Sequence, residues 1–294
     1  MKHFILFIGL IFSSSIAFSQ LPPRIENDVL FGKGCFYFKQ IPESGKFDNV
    51  LILIPGFGEH PYSVSEQTTI LQEAEKNGIA VVIVNLSPNN GSLPIDDNSI
   101  SKLEKMINHF YQQEKVSKTV RLFIGGFSIG GTTAIKFYTQ KHSKFKIDKV
   151  FAIDPPLDMV RLRKSLAKGI EKGIIKKLDS INTDKQSPEN GLKRLSIYNP
   201  DFTPTASLPD YNLTSLRIYC EPNILWWIKN RNMDLSDMNV TDCAGYVNGL
   251  LKKNPNQKIE LLLTKDKGVR NGNQVHPHSW SIAEPVGLIK WLLK

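Results

Sequence analysis

The chain has 294 residues, 41% of them hydrophobic, enough to bury one large α/β core and too many for an intrinsically disordered chain. Its net charge of +9 is uneven, because residues 161–194 hold ten Lys/Arg against four Asp/Glu. No aromatic residue interrupts that basic segment, so nucleic acid binding through charge and stacking is not expected.

In chain order, residues 1–19 read as a secretory signal. Lys2 supplies the positive start, residues 4–12 are apolar, and Ala17-Phe18-Ser19 fits the small-x-small rule. Cleavage after Ser19 would release a periplasmic or secreted domain of residues 20–294. The apolar stretch is too short to span a bilayer, and no cysteine stands at the cleavage point to carry a lipid. Three cysteines remain, Cys35, Cys220 and Cys243. An exported chain allows one disulfide among them, and spacing alone does not choose it.

Residues 34–41 alternate loosely and predict an edge strand, and 49–54 form a continuous apolar strand ending in Pro55-Gly56. Residues 65–76 predict a helix closed by Gly78, followed by a buried strand at 79–86. Ile100, Leu103, Met106, Ile107 and Phe110 recur at three and four residues, which predicts a helix over 99–114. Further strands are expected at 120–124, 149–153, 216–219 and 259–263, with a terminal helix at 286–293. Solid apolar strands alternating with helices imply an α/β fold with a mostly parallel central sheet covered on both faces. Residues 155–212 are too long for a simple crossover. Leu162, Leu166, Ile170, Ile174 and Leu178 recur every four residues there, so a helical cap-like insertion is expected.

The chemical signal is Gly126-Phe127-Ser128-Ile129-Gly130, lying between the strand at 120–124 and a helix start. In that context G-x-S-x-G is a nucleophile elbow, a turn so tight that it lifts the serine hydroxyl above the sheet. The same turn aims the Ile129 N–H at the place where an oxyanion would form. A phosphate-binding reading of 125–132 fails because Gly131 stands where that loop needs lysine. The loop after the strand at 49–54, Pro55-Gly56-Phe57-Gly58, fits a second oxyanion donor, with the Phe57 N–H preferred.

A serine hydroxyl needs a base, and imidazole suits that role near neutral pH. Chain order in such folds puts the histidine last. His276 and His278 both precede the terminal helix, and His278, which leads into it through Ser279-Trp280, is preferred. His109 lies in a helical pattern and His142 beside lysines, so both read as structural. A metal site at His276-x-His278 lacks a third ligand, and neither a metal nor a cofactor is expected. Glu221, at the end of the strand at 216–219, is the preferred carboxylate to orient the histidine, with Asp154 the alternative.

The segment Gly56-Phe57-Gly58-Glu59-His60 and the elbow together resemble the α/β-hydrolase superfamily over nearly the whole mature chain. The first segment is similar to the H-G-x-G-E-H of monoacylglycerol lipases and their relatives, with Pro55 where those proteins have histidine. Phe127 likewise replaces the histidine usual before the serine. The resemblance implies the fold and the triad layout. The expectation is an exported serine hydrolase that cleaves a small-molecule carboxylic ester through an acyl-enzyme on Ser128. A peptidase or amidase with the same triad, and a non-catalytic binding protein on this scaffold, are the alternatives. The basic 161–194 segment reads first as a solvated face, and second as a weak contact with a membrane surface.

Overall fold

A computed structural model describes residues 24–87, 93–169, 172–201, 203, 207–211, 214–272 and 274–294. Residues 1–19, expected to form a signal, lie outside the described residues.

An eight-stranded sheet organises the chain in the order β1-β2-β4-β3-β5-β6-β7-β8. Its strands are β1 (Arg24–Glu26), β2 (Phe36–Gln40), β3 (Asn49–Ile54), β4 (Ile79–Asn85), β5 (Arg121–Phe127), β6 (Ile147–Ile153), β7 (Ser215–Cys220) and β8 (Ile259–Leu263). From β4 to β8 every pairing is parallel, while β1 and β2 are antiparallel additions. Two short strands, β9 (Val269–Arg270) and β10 (Gln274–Val275), form a separate hairpin.

The helices are α1 (Asp28–Phe31), α2 (Ser63–Gln67), α3 (Ile70–Lys76), α4 (Asp97–Gln113), α5 (Ile129–Phe145), α6 (Met159–Lys168), α7 (Lys172–Ile181), α8 (Pro188–Leu195), α9 (Ile224–Arg231), α10 (Asn239–Lys253) and α11 (Pro285–Leu293). Along β3, Val50, Ile52 and Ile54 point into one core while Leu51 and Leu53 point into the other. The first core takes Leu103 and Phe110 of α4 and Tyr246 and Leu250 of α10; the second takes Ala74 of α3 and Leu288 and Leu292 of α11. Burial on both faces is why these strands are apolar throughout rather than alternating.

Three expectations are corrected. The strand at 34–41 is not an edge, because β1 pairs outside it, Ile25 opposite Tyr37. The helix expected over 65–76 is two helices, since Thr68 is extended (φ −155°, ψ 152°) and Thr69 caps the second. These adjacent β-branched residues are stiff at χ1 and suit a break. The four-residue apolar repeat of 162–178 is not one helix either. Its first part, α6, ends at Gly169, and a Cβ there would come within 2.7 Å of Met233 Cε. A period of four drifts around a 3.6-residue helix, so one straight helix could not keep that row on one face.

Among the described residues, no helix is long and apolar enough to cross a membrane.

Candidate active site

The sheet brings the elbow and the oxyanion loop together because β3 and β5 are neighbours in register, Leu53 opposite Gly125 and Ile54 opposite Gly126. Ser128 has φ 54° and ψ −128°, a left-handed conformation costly for a residue with a Cβ. It is held by its own N–H, which donates to Ile153 O at 2.8 Å, and by its carbonyl, which accepts from Gly131 and Thr132 at 2.9 and 3.2 Å. The flanking glycines are required by contact. A Cβ on Gly130 would lie 2.1 Å from Ile54 O and 2.4 Å from Pro55 O, and one on Gly126 would lie 2.4 Å from Gly130 O.

His278 Nε2 lies 3.0 Å from Ser128 Oγ, and Nδ1 lies 2.5 Å from Asp154 Oδ2. The expectation that Glu221 orients His278 is therefore corrected: the carboxylate on the imidazole is Asp154. β6 is the strand beside β5, and Asp154 directly follows the Ile153 whose carbonyl holds Ser128, so its side chain starts close to the nucleophile. Asp154 is 6% exposed and has φ 46°, with its N–H donated to Tyr219 O and its carbonyl taking Asn239 Nδ2. Glu221, one strand farther out, is equally buried at 4%, but its oxygens accept from Thr264 Oγ1, Lys267 N and Gly268 N at 2.9–3.2 Å. It closes the loop after β8 instead of reaching His278.

Phe57 and Ile129 both line the cavity in front of Ser128 and His278. Among the described residues neither N–H donates to a protein acceptor. The first turn of α5, which begins at Ile129, adds the positive end of its dipole to that spot.

The cavity measures about 180 Å³. Its apolar wall is Leu162 and Leu166 of α6, Ile174 of α7, and Trp227, Met233 and Met238 beyond β7. The segment between β6 and β7 thus supplies one side of the site. Among the described residues, five of its cations pair with acids. Arg161 forks onto Asp242, Arg163 pairs with Asp179, Lys168 with Asp237, Lys193 with Glu189 and Arg194 with Asp184.

The other histidines have different surroundings. His60 sits 4.5 Å from the Tyr62 ring, His109 Nδ1 lies 2.9 Å from Tyr37 Oη, and His142 Nδ1 lies 3.2 Å from Tyr138 O. His276 packs on Trp226 at 4.7 Å, and its Nδ1 is buried without a hydrogen bond. Burial, with the positive charge of Arg270 behind it, pulls its pKa down to about 3, so it stays neutral near pH 7. Phe127, in the position before the serine, packs its ring 4.5 Å from that of His278, tilted by 45°. All three cysteines are free and buried.

Two participants have partners that the local sequence does not reveal. Trp280 is 1% exposed, and its indole N–H reaches Glu59 Oε2 at 3.0 Å. Helix α10 supplies Asn239 and Asp242; its buried Val240, Cys243, Val247 and Leu250 carry a helical spacing that Gly245 and Gly249 obscure. Those glycines lie under Tyr198 and Leu208, where a Cβ would come within 2.6 and 2.9 Å.

No protein-family model matches this sequence, and no curated protein does. Solved structures do resemble the fold. An S-formylglutathione hydrolase from Agrobacterium tumefaciens superposes with a TM-score of 0.59 at 13% identity, covering 92% of each chain. Est1E from Butyrivibrio proteoclasticus with ferulic acid bound gives 0.54 at 10% identity, over 92% of this chain and all of that one. The acylaminoacyl peptidase of Pyrococcus horikoshii gives 0.53 at 15% identity, over 88% of this chain and 38% of the larger one. With its mostly parallel sheet, the helices on both faces and the strained serine at the end of β5, the chain has the α/β-hydrolase fold.

Proposed function

We propose that this protein is a serine hydrolase that cleaves small carboxylic esters. The observation that carries the reading is the unbroken hydrogen-bond chain Ser128 Oγ–His278 Nε2 and His278 Nδ1–Asp154 Oδ2, opening on an apolar cavity. In this reading His278 takes the proton as Ser128 Oγ attacks the acyl carbon, and Asp154 stabilises the imidazolium. The Phe57 and Ile129 N–H groups receive the oxyanion. The proton returns to the leaving alcohol, and water repeats the sequence on the acyl-enzyme.

The cavity of about 180 Å³, walled by Leu162, Leu166, Ile174, Trp227, Met233 and Met238, suits an ester with an apolar acyl group. Residues 155–212 act as a cap over the site, and residues 1–19 as an export signal. The mass of the mature protein would start at Gln20 if that signal is cleaved.

A fluorophosphonate probe tests the chemistry. The wild type should label on Ser128, and Ser128→Ala should not label at all. A folded wild type that resists labelling would sink the reading in favour of a binding protein on this scaffold.

A further inference from the structure

We propose that Glu59 is a positioning residue that locks the oxyanion loop to the turn carrying the catalytic imidazole; the proposal rests on the serine-hydrolase reading. Glu59 follows the Pro55-Gly56-Phe57-Gly58 loop and has a side chain only 10% exposed. Its Oε2 accepts from two directions: Gly56 N at 3.0 Å, and Trp280 Nε1 at 3.0 Å. Gly56 precedes Phe57, which lines the site cavity, and Trp280 lies two residues after His278. A single oxygen therefore joins two segments 221 residues apart in sequence.

The other oxygen, Oε1, accepts from Gln67 Nε2 of α2 at 2.8 Å, with Arg270 of β9 3.8 Å away. Arg270 also sits over the Phe127 ring, 5.1 Å from its centroid, and that ring packs on His278. Glu59 touches neither Ser128 nor His278 in this arrangement; it acts through what it holds. A buried carboxylate with three donors is expensive to leave half-satisfied, so the loop and the turn move together or not at all.

The Gln67 amide supplies the control. Its Oε1 is buried without a hydrogen bond. In Glu59→Gln the new carbonyl can keep the Gly56 and Trp280 bonds while the new amide donates to Gln67, whose own amide turns over. The variant loses the charge and keeps the geometry. Glu59→Ala loses both.

The test pairs kinetics on p-nitrophenyl acetate with amide and indole hydrogen exchange by NMR. Glu59→Ala should lose about 10- to 100-fold in kcat, less than the ~10²–10³ that outright removal of an oxyanion donor costs, and KM should change by less than about threefold. Glu59→Gln should stay within about fivefold of wild type. Exchange at the Gly56 amide and the Trp280 indole should quicken at least ~10-fold in Glu59→Ala, the fold-change expected when a protecting hydrogen bond is removed. A folded Glu59→Ala with near-wild-type kcat, a Glu59→Gln as poor as Glu59→Ala, or exchange unchanged at either site would each overturn the proposal. If Glu59→Ala does not fold, Trp280→Phe removes one donor, and an unchanged kcat there would overturn it as well. Failure of the wild type to label with fluorophosphonate would instead remove the hydrolase reading, and the exchange arm would still decide whether Glu59 makes the tie.

Discussion

Strands β6 and β7 run side by side and parallel, and each is followed at once by a buried acid, Asp154 and Glu221. The two carboxylates look interchangeable from position and burial, yet they differ in every partner. Asp154 faces an imidazole; Glu221 faces two backbone N–H groups and a threonine hydroxyl. The difference comes from the loops opposite. The turn through residues 264–268 presents unpaired N–H groups to Glu221, and a carboxylate within reach of buried donors will take them. Asp154 is offered none of these, and a left-handed backbone turns it toward His278. A strand end therefore supplies an acid near the rim, and the facing loop decides its use.

The largest effect that would break this comparison is on Asp154. Asp154→Asn should lower kcat about 10³- to 10⁴-fold with the fold intact, because the imidazole loses its correct tautomer and its counter-charge. Steady-state kinetics beside circular dichroism would check it, and a loss under tenfold would return the acid role to open question. The elbow comes next. Gly130→Ala drives a Cβ into Ile54 O and Pro55 O, so kcat should fall at least ~100-fold as the oxyanion loop is pushed away. Soluble, folded Gly130→Ala protein with wild-type turnover would contradict the close approach.

Glu221→Ala sharpens the contrast from the other side. It strands the Lys267 and Gly268 N–H groups, which should cost about 1–3 kcal/mol of stability, while kcat stays within about threefold. Urea unfolding and turnover measured on one preparation separate the two outcomes. A collapse of kcat without loss of stability would mean that Glu221 serves the imidazole after all.

The smallest effect concerns the imidazole that does not face the serine. His276 titrates near 3 when folded against an ordinary value of 6.5, so between those values the unfolded chain binds the extra proton. Stability should therefore be whole above about pH 6.5 and fall as pH drops toward 3. His276→Gln should flatten the dependence of Tm on pH between 7 and 5, a window above most carboxylate titration. An unchanged slope would mean that His276 is protonated in the folded protein.

The insertion and the sheet also contrast in how legible they were. β3 and β8 have the boundaries their apolar runs imply, and β4, β5, β6 and β7 differ by only a few residues at their ends. Local composition suffices for β3 and β4 because strands buried on both faces must be apolar throughout, while β8, an edge strand with Leu263 60% exposed, is marked by its short apolar run alone. The segment after β6 is read less well, since its apolar repeat runs across the end of α6 at Gly169. Its basicity is plain in composition, but among the described residues Arg161 and Lys168 pair with acids from beyond β7, Arg163 and Arg194 with acids elsewhere in the segment, and only the Lys193–Glu189 pair is local to one helix.

What sequence by itself determined was the class of fold and the elbow: glycines spaced around Ser128, a strand before it and a helix after it are local facts, set by sterics within a few residues. It also brought the choice of base down to two late histidines. The tertiary structure alone decided that His278 rather than His276 faces Ser128, that Asp154 rather than Glu221 holds it, and that Glu59 and Trp280 meet behind the site. Each of those is a hydrogen bond between segments distant in the chain, and which donor reaches which acceptor depends on strand order and loop path, which local patterning does not encode.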